Sequence, residues 1–509
     1  MILVVNFGGQ YAHLIARRIR DLGARSEIVY WRDAQTTVDE TRPSGIVLSG
    51  SPASVLASDG PQLDARFFES GIPILGICYG IQMIAHIFGG SVEHGKAGEY
   101  GRELLSLTAY DPLFEGLEPK ESVWMSHGDQ VAVLPAQWRR LGATRTCPYA
   151  AMRHPDLPLY GVQFHPEVVQ TEKGERIFSN FVFGICRAPR DWRLPDIKSD
   201  IIQAMRSRVG PDAHAMVAVS GGVDSLVAAA LMRAAVGDRL HCVFVDTGLL
   251  RKGEARETEE FFRSAGFHNF HALDANALFL DRLRNTVDPE GKRRVIGHAF
   301  ADVFREWMGR APQPCRFFVQ GTTYPDRVES GAVKGAAVIK SHHNLVIPAD
   351  FGFEIIEPLK DLYKDEVRRI GIFLGLPRER VWRHPSPGPG LAIRIVGRAV
   401  TPELCAIVRS ADAIYTEELL RSGEYARIWQ AFAALLPGSA VGVRGDDRHE
   451  GYIIVLRAVD ATDGMTADWY RMPYDVLERA ASRITREIPS VARVMYDVTS
   501  KPPATIEYE

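Results

Sequence analysis

The string Gly76-Ile77-Cys78-Tyr79-Gly80 sets a cysteine between two glycines, after the apolar run Ile72–Ile77 and before a helical pattern from Ile81 to Phe88. Small flanking residues permit a sharp strand-to-helix turn that lifts a nucleophile to the end of a sheet, the cysteine counterpart of a G-x-S-x-G elbow. The helix N-terminus then favours the thiolate over the thiol, whose ordinary pKa is about 8.5. Downstream, Gly161-Val162-Gln163-Phe164-His165-Pro166-Glu167 carries an imidazole and a carboxylate at alternate positions. On a strand such positions share a face, so both side chains can turn toward Cys78. His165 would take the thiol proton and Glu167 would orient the imidazolium. Buried cysteine beside glycine is ordinary packing, and His with Glu at a strand end is commonplace. Their joint occurrence points to acyl transfer through a cysteine.

A second constellation is Ser220-Gly221-Gly222-Val223-Asp224-Ser225, which follows the strand-like Ala215–Val219 and opens a helical pattern from Leu226 to Ala235. Glycines let backbone N–H groups approach anionic oxygens, and serine hydroxyls add donors. No Gly-Lys-Ser/Thr follows, so this is a phosphate loop of another kind than a Walker A loop.

The elements that must position these residues form an α/β pattern. Ile2–Val5, Gly45–Leu48 and Ile72–Ile77 read as parallel strands, alternating with helices such as the one carrying Tyr11, Leu14, Ile15, Ile19 and Leu22 on one face. Residues 188–197, rich in proline and polar side chains, read as a linker. A second α/β pattern runs through Ala215–Val219, His241–Val245 and Phe317–Val319. The proline-dense His384–Gly390 closes it. Beyond it come a helix-rich stretch, a strand near Tyr452–Val459, a helix near Tyr474–Glu487 and a strand near Val491–Asp497.

A chain of 509 residues exceeds one hydrophobic core. Sixty Lys and Arg against 63 Asp and Glu leave a net charge of -3, without the basic excess of a nucleic-acid binder. The six scattered cysteines form no CxxC pair, which fits a reducing compartment and neither a zinc site nor a disulfide framework. The N-terminus lacks the basic region of a signal peptide, and Ile72–Gly90, apolar enough to raise the question of a membrane, contains Pro73, Gln82, His86 and several glycines and reads better as strand, turn and helix. The expectation is a cytoplasmic protein with no membrane and no nucleic-acid partner.

Residues 1–187 resemble the class I glutamine amidotransferase family. Ser49-Gly50-Ser51-Pro52 sits where that family forms its oxyanion hole, and Gln82, Ser126, His127 and the elbow residue Tyr79 match glutamine-binding positions. Glu99-Tyr100-Gly101 completes the pattern. Ser51 stands where the family has glycine, and a positive φ there would cost about 1–2 kcal/mol.

The Ser220–Ser225 loop resembles that of the N-type ATP pyrophosphatases. The resemblance implies ATP as co-substrate, Mg2+ held by Asp224, and a nucleotide-binding edge at Asp246 and Gly248.

Further strings narrow the likeness to the GMP synthase family: Gln320–Asp326 with Glu329, Lys340-Ser341-His342-His343, Lys360-Asp361 and Lys364. In that family they form a lid, where Lys340, His342, His343, Lys360 and Lys364 would face phosphates while Asp326, Glu329 and Asp361 supply carboxylates. Leu345–Pro348 departs from the Gly-Gly-Leu-Pro of bacterial relatives. Pro387-Gly388-Pro389-Gly390 resembles the xanthosine monophosphate (XMP) platform, with Ser386 in place of phenylalanine. Arg493 and Lys501 match phosphate positions, Ile506 and Glu507 purine positions, and Tyr508 replaces a tryptophan. Met465–Trp469 matches a segment of the subunit-pairing module.

What the resemblance implies is three domains: 1–190 (glutaminase), 195–384 (ATP pyrophosphatase) and 385–509 (dimerisation and XMP binding). The first two are α/β with mainly parallel sheets and the third is a smaller α+β domain. The implied activity is amination of XMP to GMP with ATP and glutamine in a homodimer. An enzyme of the same architecture acting on another purine nucleotide is the alternative. A non-catalytic relative would have no reason to keep Cys78, His165, Glu167 and Asp224 together. The tail from Lys501 holds too little apolar surface to dock by burial alone, so nucleotide and partner subunit are expected to order it.

Overall fold

Ile2-Leu3-Val4-Val5 is buried on both faces, and such a strand needs cover from both sides. It forms β1 (Ile2–Asn6), and α1 (Ala12–Asp21) packs Ala12, Ile15, Ala16 and Ile19 with Ile2 and Val4 in one core. The computed structural model describes residues 1–57, 60–329, 352–461, 467–501 and 503–509. Within them the chain forms two compact units, 1–197 and 198–509.

In the first unit the alternation continues through β2 (Ser26–Tyr30), α2 (Ala34–Thr41), β3 (Gly45–Leu48), β4 (Ile74–Ile77) and α3 (Tyr79–Ile87). Then come β5 (Ser91–Leu107), β6 (Lys120–Val133), β7 (Arg139–Ala143), β8 (Ala151–Arg153), β9 (Leu159–Val162) and α4 (Gly174–Ser179). The sheet order is β2-β1-β3-β4-β9-β8-β7-β5-β6. Strands β2, β1, β3, β4 and β9 are parallel and the remaining pairings antiparallel. Each face carries its own apolar core. Strand β4 lies inside the parallel part, so whatever follows Ile77 emerges at the middle of the sheet's C-terminal edge.

Two expectations change here. Residues 188–193 are packed onto the first unit: Ala188 and Trp192 are buried, the Arg20 guanidinium lies 4.3 Å from the Trp192 ring centre, and Arg25 N–H donates to Asp191 Oδ1 at 2.9 Å. The single tryptophan outweighs the polar composition around it. The linker's remaining residues begin α5 (Leu194–Val209). Strand β9 stops at Val162, and residues 163–167 form a turn.

The second unit holds the all-parallel strands β10 (His214–Val219), β11 (Leu240–Asp246), β12 (Phe270–Asp274), β13 (Cys315–Val319) and β14 (Glu354–Ile356). Helices α6 (Val223–Val236), α7 (Glu254–Ser264), α8 (Asn276–Leu283), α9 (Pro289–Arg310), α10 (Tyr324–Glu329), α11 (Lys364–Phe373) and α12 (Arg378–Val381) accompany them. The order β12-β11-β10-β13-β14 reverses direction beside β10, the point where open α/β sheets bind ligands at their C-terminal edge.

Helices α13 (Pro402–Ser422) and α14 (Tyr474–Glu487) accompany a mixed sheet of β15 (Gln430–Leu435), β16 (Ala440–Arg444), β17 (Asp447–Asp460), β18 (Asp468–Trp469) and β19 (Val491–Tyr496). Strand β17 is antiparallel to β15, β16 and β18, and parallel to β19. One apolar cluster runs from Met216, Val243 and Phe318 through Leu391 and Val408 to Ile454. Among the described residues no helix is long and apolar enough to cross a membrane. Ser330, Lys340, His342, His343, Leu345–Pro348, Met465 and Thr466 lie outside the described residues.

Candidate functional site

Cys78 sits between β4 and α3 with φ 52° and ψ -101°, a strained conformation for a side-chain-bearing residue. The flanking glycines make that turn possible. A Cβ on Gly76 would come within 2.5 Å of the Gly80 carbonyl carbon, and one on Gly80 within 2.7 Å of the Leu48 oxygen. Cys78 N–H donates to Val162 O at 2.9 Å, tying the elbow to β9. The sulfur lies 3.8 Å from Ser126 O and 3.7 Å from Gln163 Nε2.

His165 and Glu167 meet in the turn after β9, so a turn and not strand alternation brings them together. His165 N–H donates to Trp124 O (2.9 Å), and Thr171 Oγ1 bridges His165 O (2.6 Å) and Trp124 N–H (3.0 Å). His165 Nδ1 donates to Glu167 Oε1 at 2.7 Å, and both residues are buried. Burial alone would favour the neutral ring, but the Glu167 charge and a hydrogen bond with Cys78 hold the imidazole well above its usual pKa. Gly50 faces this pair: a Cβ there would sit 3.4 Å from His165 Cε1 and 3.7 Å from Cys78 Cβ. The arrangement can deprotonate and present a sulfur nucleophile.

The other first-unit candidates surround it. Ser51 has no positive φ, which removes the expected strain; its hydroxyl donates to Phe7 O at 2.9 Å and accepts from Ala53 N–H at 3.1 Å. Tyr79, at the start of α3, directs its hydroxyl to Pro61 O (2.5 Å). Gln82 Nε2 donates to Asp129 O at 2.7 Å. His127 Nε2 donates to Glu99 Oε2 at 3.1 Å, and Glu99 also accepts from Thr144 and Thr146. Desolvation would raise the Glu99 pKa, but these three donors hold it low. Glu99, His127 and the buried Cys147 are near enough to share a cation, yet Glu99 and His127 already satisfy each other.

In the second unit the Ser220–Ser225 loop follows β10 at the reversal of strand order. Gly221 has φ 77°, the left-handed region that favours glycine. Ser220 N–H donates to Ser225 Oγ at 3.2 Å, and Ser225 Oγ donates to Gly222 O at 3.1 Å, which pins the loop onto the first turn of α6. Gly321, after β13, lies so close that a Cβ would come 3.1 Å from the Asp224 carbonyl carbon. Asp224 Oδ2 takes an ion pair from Lys364 Nζ at 3.3 Å, while its buried Oδ1 has no hydrogen-bond partner. An unpartnered carboxylate oxygen beside a phosphate-type loop fits Mg2+, a hard cation that takes oxygen ligands.

Asp246 accepts from Gly248 N–H at 3.0 Å and lines, with Gly248, Arg251, Lys252 and Arg409, a cleft of ≈ 460 Å³ at the end of β11. Asp326 accepts from Thr323 N–H (3.0 Å) and Thr323 Oγ1 (2.7 Å) at the start of α10, and Asp361 pairs with Arg327 at 2.9 Å. Lys360 is exposed, and Glu329 ends α10. Arg368, which sequence reasoning missed, lies one helical turn after Lys364. Its Nε is buried without a hydrogen-bond partner, and desolvation lowers its pKa against the attraction of Asp224. The i, i+4 spacing from Lys364 was the available signal.

The segment Pro387–Gly390 meets the loop after β11: Leu391 N–H donates to Leu249 O at 2.8 Å, and a Cβ on Gly390 (φ 59°) would come 2.4 Å from that oxygen. Arg493 is exposed on β19, and Lys501 pairs backbone to backbone with Ala467. The tail is held within the chain, contrary to expectation. Ile506 and Tyr508 pack on Phe432, Ala434 and Val455, Arg457 donates to Thr505 O and Ile506 O, and Glu507 pairs with buried Arg394 at 3.1 Å and with Gln430 at 2.6 Å. Charges buried at core positions supply the docking that apolar content lacks.

A strained cysteine elbow facing a buried His–Glu pair on a parallel sheet defines a class I glutamine amidotransferase. The family model described as glutamine amidotransferase class-I matches residues 3–185, and that of the GMP synthase C terminal domain matches residues 417–508. The chain is 48% identical over 509 residues to the glutamine-hydrolyzing GMP synthase of Aquifex aeolicus, covering 100% of this chain and 99% of that one. It is 49% identical to that of Carboxydothermus hydrogenoformans, with the same coverage. The relative from Thermobifida fusca is 49% identical and is 98% covered. The chain belongs to the glutamine-hydrolysing GMP synthase family.

Proposed function

We propose that this enzyme converts XMP, ATP, glutamine and water into GMP, AMP, diphosphate and glutamate. The observation that carries the reading is that one chain combines the Cys78–His165–Glu167 elbow with the Ser220–Ser225 loop at a topological switch point. Cys78 attacks the glutamine side-chain amide, the backbone N–H groups of Gly50, Ser51 and Tyr79 receive the oxyanion, and ammonia leaves from a glutamyl thioester that water hydrolyses. Gln82, Ser126 and His127 hold the glutamine.

In the synthetase half, the purine C2 oxygen attacks the α-phosphate of ATP, releasing diphosphate; ammonia then displaces AMP. Adenylation is needed because an amide-like oxygen is a poor leaving group. Ser220–Ser225, Asp246 and Gly248 bind ATP. Asp326, Glu329, Lys340, His342, His343, Lys360, Asp361 and Lys364 form the lid, with Arg368 as a further counter-charge. Asp224 would hold Mg2+, which would supply positive charge against the phosphates. Pro387–Gly390, Arg493, Lys501, Ile506 and Glu507 bind XMP.

We assign 1–190 to the glutaminase, 195–384 to the ATP pyrophosphatase and 385–509 to dimerisation and XMP binding. Exposed Val441, Val443 and Met495 on β16 and β19 support pairing of two cytoplasmic copies through that last region. The test is incubation with XMP, ATP, Mg2+ and glutamine, with products identified by mass spectrometry. GMP, AMP and glutamate in equal amounts are expected. Consumption of another purine nucleotide in preference to XMP would overturn the substrate.

A further inference from the structure

Lys292, on α9, is the one lysine buried completely among the described residues. Its Nζ donates to Ile395 O at 2.6 Å and to Glu509 Oε2 at 2.5 Å. The second oxygen of that carboxylate, Glu509 Oε1, accepts from Gly397 N–H at 2.6 Å. Glu509 is therefore plugged into the turn after Arg394 and onto a helix that leads into β13. That strand borders the pyrophosphate loop. The tail's other anchors, Arg394, Gln430 and Arg457, lie on the platform turn, β15 and β17. A buried ammonium with two acceptors is a costly feature to keep unless its geometry is used.

We propose that Lys292 and Glu509 are positioning residues that set the tail, and with it the nucleotide, at the correct distance from ATP. This rests on the proposed placement of XMP at Lys501–Glu507. Adenylation needs the purine oxygen in line with the α-phosphate, and a displacement of about 1 Å can cost about 10²-fold in rate. The pair couples the tail that holds one substrate to a helix beside the strand whose neighbour holds the other. Neither residue touches a reacting atom.

The test uses the full-length chain with ammonium as nitrogen source and compares Glu509→Gln, deletion of Glu509, Lys292→Met, and the exchange Lys292→Glu with Glu509→Lys. In the single variants kcat/KM for XMP is expected to fall about 10²-fold. Glutamine hydrolysis and the affinity for Mg-ATP remain unchanged, hydrogen exchange at the Gly397 amide speeds up, and the exchange variant recovers part of the loss. Folded variants with a lower melting temperature but unaltered kinetics for XMP would make the pair merely structural and overturn the proposal. Should Lys292→Met fail to fold, Glu509→Gln alone decides the matter, since it keeps the size of the side chain and removes only its charge. A wild-type chain that forms no GMP would instead overturn the proposed function.

Discussion

The two candidate sites differ in how their polar groups are satisfied. Around Cys78 the groups answer one another: His165 with Glu167, His127 with Glu99, Gln82 with Asp129, and Ser51 with Phe7 and Ala53. Glu167 Oε2 is the exception. In the second unit, Asp224 Oδ1 and Arg368 Nε, with Arg251 Nη2 at the end of β11, are buried without hydrogen-bond partners, and Lys364 reaches across to Asp224. A neutral amide can be received by a site already complete, with strain stored at one backbone position. A polyanion with its metal needs cations and oxygens kept in reserve, because buried polar groups are normally paired. The first site should therefore break through single atoms of its reacting set, and the second by degrees.

The sharpest way to separate them is Cys78→Ala. Glutamine-dependent GMP formation is expected to fall on the order of 10⁵-fold, while synthesis from ammonium salts persists, because in the proposed mechanism the sulfur serves only ammonia release. Loss of both activities in a folded variant would end the two-site assignment. Glu167→Gln comes next, at about 10³-fold in glutamine hydrolysis. With the carboxylate gone, burial dominates and the His165 pKa should drop below its ordinary 6.5. In the wild type the raised folded value means that the pair stabilises the fold fully below about pH 6.5. That contribution is lost as pH rises through the folded pKa. An imidazole titration that is the same in both proteins would refute the assigned cause.

In the second site Asp224→Asn keeps the shape and removes the charge facing Lys364 and Arg368. Turnover with either nitrogen source should fall on the order of 10²-fold, with the requirement for Mg2+ raised. Near-normal turnover with ammonium would remove Asp224 from the proposed metal site.

The elbow and the loop were legible in the sequence because each is local: a glycine at a fixed offset is demanded by a clash or a positive φ within a few residues. Strands Ile2–Val5, Gly45–Leu48 and Phe317–Val319 were legible for the same reason, as short apolar runs. What escaped was set by partners distant in sequence. The turn at 163–167 is fixed by Trp124 and Thr171, and the tail by Arg394, Gln430 and Arg457. Lys292, 217 positions from Glu509, has no local signature at all.

The smallest effect belongs to Ser51, where the family's glycine invites the idea of a strained oxyanion loop. Strain there would make Ser51→Gly a gain, in stability and in glutamine hydrolysis alike. The backbone gives the opposite sign, since the residue lacks a positive φ and its hydroxyl joins Phe7 O to Ala53 N–H beside Gly50. Glycine would remove two hydrogen bonds of a half-buried side chain, worth about 1 kcal/mol net, and loosen the loop proposed to hold its N–H groups on the developing oxyanion. A few-fold decrease in kcat/KM for glutamine is expected, with a slightly lower melting temperature and unchanged synthesis from ammonium. Steady-state kinetics with glutamine alone and with ammonium decide it. A rise in glutaminase activity would show that serine burdens the site after all, and that the distinction between a prebuilt first site and a ligand-completed second one is less sharp than the geometry suggests.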